Sequence, residues 1–124
     1  MKLNQFLVIA AIITVLFGIG LLLFPAEMAA TYGTTFNAGG TVVARIAGSS
    51  LIGLAIIVYC ARDRKGPEML RGVLTAGLIT NALDLLISGQ ATMAGVIGNS
   101  IGWATVALHL VLGAGFAYFL LGKR

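Results

Sequence analysis

The chain reads as an all-α integral membrane protein: a four-helix bundle with a short interfacial helix after the first span and both termini in the cytoplasm. Three observations predict this. Of 124 residues, 59% are hydrophobic and only 10% charged, with a mean hydropathy of +1.02, whereas soluble domains carry roughly 25% charged residues. A helix needs about 20 apolar residues to cross a hydrocarbon layer about 30 Å thick. The sequence supplies four such runs, at about 5–24, 41–61, 69–88 and 101–121, within a single transmembrane domain covering 1–124. Finally, seven of the eight basic residues (Lys2, Arg62, Arg64, Lys65, Arg71, Lys123 and Arg124) flank the same side of those runs. Positive charge beside spans marks the cytoplasmic side, so both termini are expected there. The net charge of +4 is thus assigned to topology and not to nucleic acid. The single cysteine, Cys60, excludes an internal disulfide and any CxxC motif.

The first run, Phe6 to Phe24, is 19 residues long, which exceeds the roughly 7 to 15 of a signal-peptide core, so it is read as a retained helix. Thr14 and Gly18 give it a small-residue stripe. Pro25 stops it and suits the first position of a new helix, Pro25 to Tyr32, because its missing N–H is not needed there. Glu27 in that first turn complements the helix dipole, and Gly33 is a plausible terminator. The second span carries Arg45, followed by Ser49 and Gly53 with Gly48 alongside, a face expected to point into the bundle. Gly66-Pro67 punctuates a tight turn, and Glu68 opens the third span. That span sets Gly77, Asn81, Asp84 and Ser88 on one face by a 4, 3, 4 spacing. Residues 89–100 read as an uncharged loop. The fourth span repeats the pattern with Gly98, Gly102, Thr105, His109 and Gly113, and Trp103 and Tyr118 sit near its two ends as belt residues.

Arg45 is the basic residue outside the cytoplasmic set, and a cation inside hydrocarbon needs a partner. Asp84 is the acid inside an apolar span. Each lies six residues to the outer side of its span's midpoint, hence about 9 Å from the bilayer centre at 1.5 Å per residue. An Arg45 to Asp84 pair is therefore expected, with Glu27 as a rival acid and Asn81 beside it. Two readings of this group stand. One is a structural clasp that sets helix register; the other is an outer-side site where Arg45 meets an anionic ligand or lipid headgroup, or Asp84 handles a proton.

His109 lies near the midpoint of the fourth span. Imidazole ligates metals and haem, but one histidine cannot make a metal site alone, and a hydrogen bond to Asn81 or Thr105 is the plainer expectation. Motifs for enzymes are missing: there is no GxSxG, HExxH or Walker loop and no pair of carboxylates on one helix face. No metal and no cofactor is called for, with haem or quinone at His109 kept as an alternative.

The segments LLFPAEMAATYG and ARIAGSSLIGLAI, which carry Pro25, Glu27, Gly33, Arg45 and Gly48, resemble uncharacterised small four-helix bacterial membrane proteins related to the DoxX group. The resemblance implies a compact bundle in a bacterial inner membrane; DoxX itself is associated with redox and quinone-linked membrane complexes. Small multidrug transporters differ by a glutamate in the first helix, and fluoride channels by dual topology. Three functions are weighed: a non-catalytic accessory or assembly subunit of a larger membrane complex; a small carrier or ligand-binding or lipid-binding protein with a polar cavity around Arg45 and Asp84; and a quinone- or haem-linked redox subunit using His109. The expected partners are the lipid bilayer and other membrane chains or further copies of this one.

Overall fold

The structure, a computed structural model, describes residues 1–63 and 66–122. Arg64, Lys65, Lys123 and Arg124, on which the topology expectation partly rests, lie outside the described residues. The chain is all-α, with helices α1 (Leu3–Leu23), α2 (Pro25–Thr31), α3 (Ala38–Ala61), α4 (Pro67–Met93) and α5 (Ile101–Leu121). Four of them, α1, α3, α4 and α5, are long and apolar enough to cross a membrane. Two compact units divide the chain, Met1–Arg62 and Asp63–Arg124.

In the first unit, Pro25 ends α1 and begins α2 at its first position. The short helix closes in a Schellman motif: Thr34 N–H donates to the Ala29 carbonyl and Gly33 N–H to that of Ala30, with Gly33 at φ 70°. Gly33 is suited to that place because a Cβ disfavours the left-handed region. Asn37 then caps α3, its side chain accepting from the Gly40 N–H at 2.7 Å. This cap explains why α3 begins at Ala38 and not at Thr41, since the orphan Gly40 N–H of the glycine-rich first turn gains a partner.

α3 returns antiparallel to α1, with Gly48 lying against Gly18 and the Leu22 backbone, and Gly18 against Ile52. A Cβ on Gly48 would fall 2.6 Å from the Gly18 carbonyl oxygen and 2.7 Å from the Leu22 nitrogen. Only glycine lets the two backbones approach this closely. Leu3, Leu7, Ala10, Ala11 and Gly18 are buried on α1, and Ala44, Gly48, Ala55 and Val58 on α3. Of the expected packing face, Gly48 lies in this seam. The seam runs through Ala44, Gly48 and Ala55, so Arg45, Ser49 and Gly53, one helical step around, are exposed. Thr14, expected to help packing, returns its hydroxyl to the Ala10 carbonyl at 2.8 Å. Lys2 and Arg62 share one end of this hairpin, where the Arg62 guanidinium covers the Tyr59 ring at 3.5 Å and Glu27 marks the opposite end.

In the second unit, α4 runs five residues beyond the expected end at Ser88. A second Schellman motif stops it: Val96 N–H donates to the Ala91 carbonyl and Gly95 N–H to that of Thr92, with Gly95 at φ 72°. Thr92 helps to carry the helix past Gly89 by donating its hydroxyl to the Ser88 carbonyl at 2.8 Å. α5 packs antiparallel on α4. The Phe116 ring lies on Gly77, where a Cβ would approach it to 2.5 Å, and the Thr92 side chain occupies the space beside Gly102. The two expected small and polar stripes thus face each other. Ser88 and Asn81 are buried between them, while Gly98 is exposed beyond the seam.

Two outcomes follow from these seams. Gly48→Ala forces backbone apart and is expected to cost about 1–3 kcal/mol in reversible unfolding in mixed micelles, whereas Gly53→Ala, which meets nothing within 4 Å, leaves stability equal or raised. Gly33→Ala and Gly95→Ala each place a Cβ in the left-handed region and should cost about 1–2 kcal/mol, with Asn at either position losing less; equal stability of the Ala and Asn variants in the same assay would remove this account.

Candidate functional site

The polar groups inside the second unit assemble from the backbone outward. Asn81, 9% exposed, sits one turn after Gly77, and its Nδ2 donates to the Gly77 carbonyl at 2.8 Å. That bond orients the amide, turning Oδ1 across the seam toward His109 of α5. His109 Nδ1 lies 3.1 Å from this oxygen. Because an amide oxygen can only accept, Nδ1 carries the hydrogen and donates. The hydrogen bond expected at His109 therefore goes to Asn81, while the Thr105 hydroxyl donates to the Ile101 carbonyl at 3.0 Å.

Asp84, one turn further along α4, brings Oδ2 to 3.9 Å from the same His109 nitrogen. The contact becomes an ion pair when the imidazole is protonated. About a fifth of the histidine side chain, 22%, stays accessible, against 44% of that of Asp84. With α4 ending at Met93 its midpoint is Thr80, so Asp84 lies about 6 Å along the helix from the centre and not 9 Å. Asn81, Asp84 and His109 form one cluster, with the carboxylate on its open side.

Arg45 and Glu27 belong to the first unit. Arg45 stands seven residues into α3, about 10 Å along it, and is exposed. Glu27 occupies the third position of α2, also exposed, and its carbonyl accepts from the Thr31 hydroxyl at 2.9 Å. No ion pair joins Arg45 to Glu27 among the described residues. The expected Arg45 to Asp84 pair connects residues of two units, each of which is described by itself.

The contact of Asp84 with His109 went unanticipated, although its signal was in the chain. The stripes Gly77-Asn81-Asp84-Ser88 and Gly102-Thr105-His109-Gly113 run with spacings of three and four residues, and antiparallel pairing that sets Asn81 by Gly113 also sets Asp84 by His109.

Comparison of the chain with protein-family models, curated proteins and solved structures gives no match.

The cluster's energetic weight can be measured by a double-mutant cycle. Asn81→Leu and His109→Leu are expected to couple by about 0.6–1.7 kcal/mol, the range of side-chain hydrogen bonds between membrane helices, whereas Thr105→Val stays within about 0.5 kcal/mol of the parent. Additive losses at Asn81 and His109 would contradict the bond.

Proposed function

We propose that this protein is a non-catalytic membrane-embedded subunit that assists or assembles a larger membrane complex in a bacterial inner membrane, with both termini cytoplasmic. The observation that carries this reading is the outer face of α1. Ile9, Ile12, Leu16, Ile19 and Leu23 are all exposed and follow a 3, 4, 3, 4 spacing, the pattern by which one helix offers a continuous seam to another. They lie opposite the face that α1 buries against α3. The hydroxyls of Thr14, Ser50, Ser88, Thr92 and Thr105 return to their own helices, and Asn81 and His109 bond to each other, so apart from Arg45 and Asp84 the spans carry little polar equipment aimed outward. The likeness of LLFPAEMAATYG and ARIAGSSLIGLAI to DoxX-related proteins agrees with a small bundle that serves larger assemblies.

A second reading rests on Arg45 and Asp84. Each is a charge inside a span, and Arg45 is exposed while Asp84 keeps 44% of its side chain accessible. Charges at such depth ordinarily mark ion, proton or substrate paths, which supports a carrier or a binder of an anionic ligand or lipid headgroup.

A photocrosslinking residue placed at Leu16, in native membranes, tests the first reading. A discrete adduct with another membrane chain, lost when the probe is moved to buried Leu7, is expected; lipid adducts alone, or adducts only with a second copy, would overturn it. Arg45→Gln, Asp84→Asn and the double variant test the second. Loss of function in each single variant with recovery in the double one identifies a structural pair, and loss in all three identifies a binding site.

A further inference from the structure

Resting on the second functional reading, that of a binder at Arg45, we infer that this arginine holds the phosphate of a membrane glycerophospholipid whose acyl chain lies along Ser49 and Gly53. Arg45 is exposed, and among the described residues it takes part in no hydrogen bond or ion pair. A guanidinium stays charged in proteins, so inside a span it must reach an anion or the headgroup layer. α3 has 24 residues, a length of about 36 Å at 1.5 Å each, and overhangs a hydrocarbon layer of about 30 Å at both ends. With the helix centred in that layer, the Arg45 backbone lies about 8 Å inside the boundary on the Ala38 side. Helical side chains lean toward the N-terminus of their helix, so the stem of Arg45 rises toward that boundary. Long basic side chains near span ends snorkel in this way. Phosphate is the anion that the bilayer itself offers at that level.

The headgroup fits by chemistry and the tail by shape. A planar guanidinium offers a fork of N–H donors that matches two phosphate oxygens. Ser49 and Gly53 follow Arg45 at i+4 and i+8, one and two turns deeper on the same side of the helix. Both are exposed, and a Cβ built on Gly53 would meet nothing within 4 Å. These two small residues make a shallow furrow. Ile46 and Ile57 stand on one flank of it and Ile56 on the other, all three exposed, so its walls are apolar. The furrow descends from the charge toward the bilayer centre, the course of an acyl chain whose phosphate is held at Arg45. Gly48 faces α1, which keeps the furrow clear of the hairpin's own seam.

The experiment uses the full-length chain in a mild detergent, with native mass spectrometry counting bound lipid as dioleoyl phosphatidylglycerol is titrated in. Saturable binding is expected, with dioleoylglycerol, which lacks the phosphate, held roughly 10-fold more weakly or worse. Arg45→Gln should weaken phospholipid binding about 10- to 100-fold, the weight of a hydrogen bond to a charged group, and Arg45→Lys, a point charge without the fork, should lose less. Gly53→Leu, which fills the furrow, should also weaken binding while thermal unfolding stays unchanged, so a binding defect is read apart from a folding one. Equal retention of the two lipids, or undiminished binding in Arg45→Gln or in Gly53→Leu, would overturn the inference. Inorganic phosphate separates the lipid from the wider reading. Arg45-dependent binding of the free ion, with Gly53→Leu without effect on the lipid, leaves an anion site and removes the lipid; no Arg45-dependent binding of either removes both. A photocrosslinking residue at Ser49 in native membranes should give lipid adducts, and a discrete protein adduct there would assign the face to a partner chain instead.

Discussion

Inside hydrocarbon no water is available to an unpaired donor or acceptor, and every polar group in a span must find its partner in protein. The local geometry of this chain follows from that constraint. The hydroxyls of Thr14, Ser88, Thr92 and Thr105 bond to carbonyls three or four residues back on their own helices, which makes them apolar from outside. Among the described residues no buried side-chain nitrogen or oxygen lacks a hydrogen-bond partner. Helix association then depends on close packing, because lipid tails are as apolar as the side chains they compete with. Gly48 against Gly18 and Gly77 under Phe116 supply that packing in the two units, each by removing a side chain where backbone or ring must enter.

The same constraint shapes the helix ends. Backbone carbonyls of the last turn are left without intrahelical donors, and both α2 and α4 satisfy theirs through a glycine at positive φ, Gly33 and Gly95. Gly33 was legible because it follows a short run opened by proline. Gly95 was not, because Gly89 and the polar residues around it offered an earlier stop. Thr92, bonded to the Ser88 carbonyl, belongs to the helix, and the choice between two glycines was settled by which one could close the double hydrogen bond. Asn37 was hidden in a similar way, read as part of a turn although its side chain caps α3.

In the second unit the polar cluster joins packing to chemistry. Asn81 needs Gly77 for its amide orientation, and His109 needs Asn81 for its proton position. Asp84 then brings charge to a ring whose tautomer is already chosen. The result is a directional element in an otherwise nondirectional apolar seam, and it sets the register of α4 on α5. Stripe spacing revealed that Asn81, Asp84 and His109 each face a neighbouring helix. It did not reveal which neighbour, since Arg45 matched Asp84 in depth as well as His109 does in contact.

By itself the sequence determined the helical class, four spans long enough for a bilayer and the short helix after Pro25, because hydropathy, span length and proline geometry act within a few turns of chain. It also determined which residues carry polarity inside the spans. Tertiary structure decided the rest. α3 turns Gly48 and Ala44 to α1 and leaves Arg45 exposed, since backbone approach at Gly18 favours the face without side chains over the neighbouring face with an arginine. α4 and α5 bring Asp84 to His109. These outcomes depend on the rotation and register of one helix against another, which periodicity along a single helix constrains only to a face.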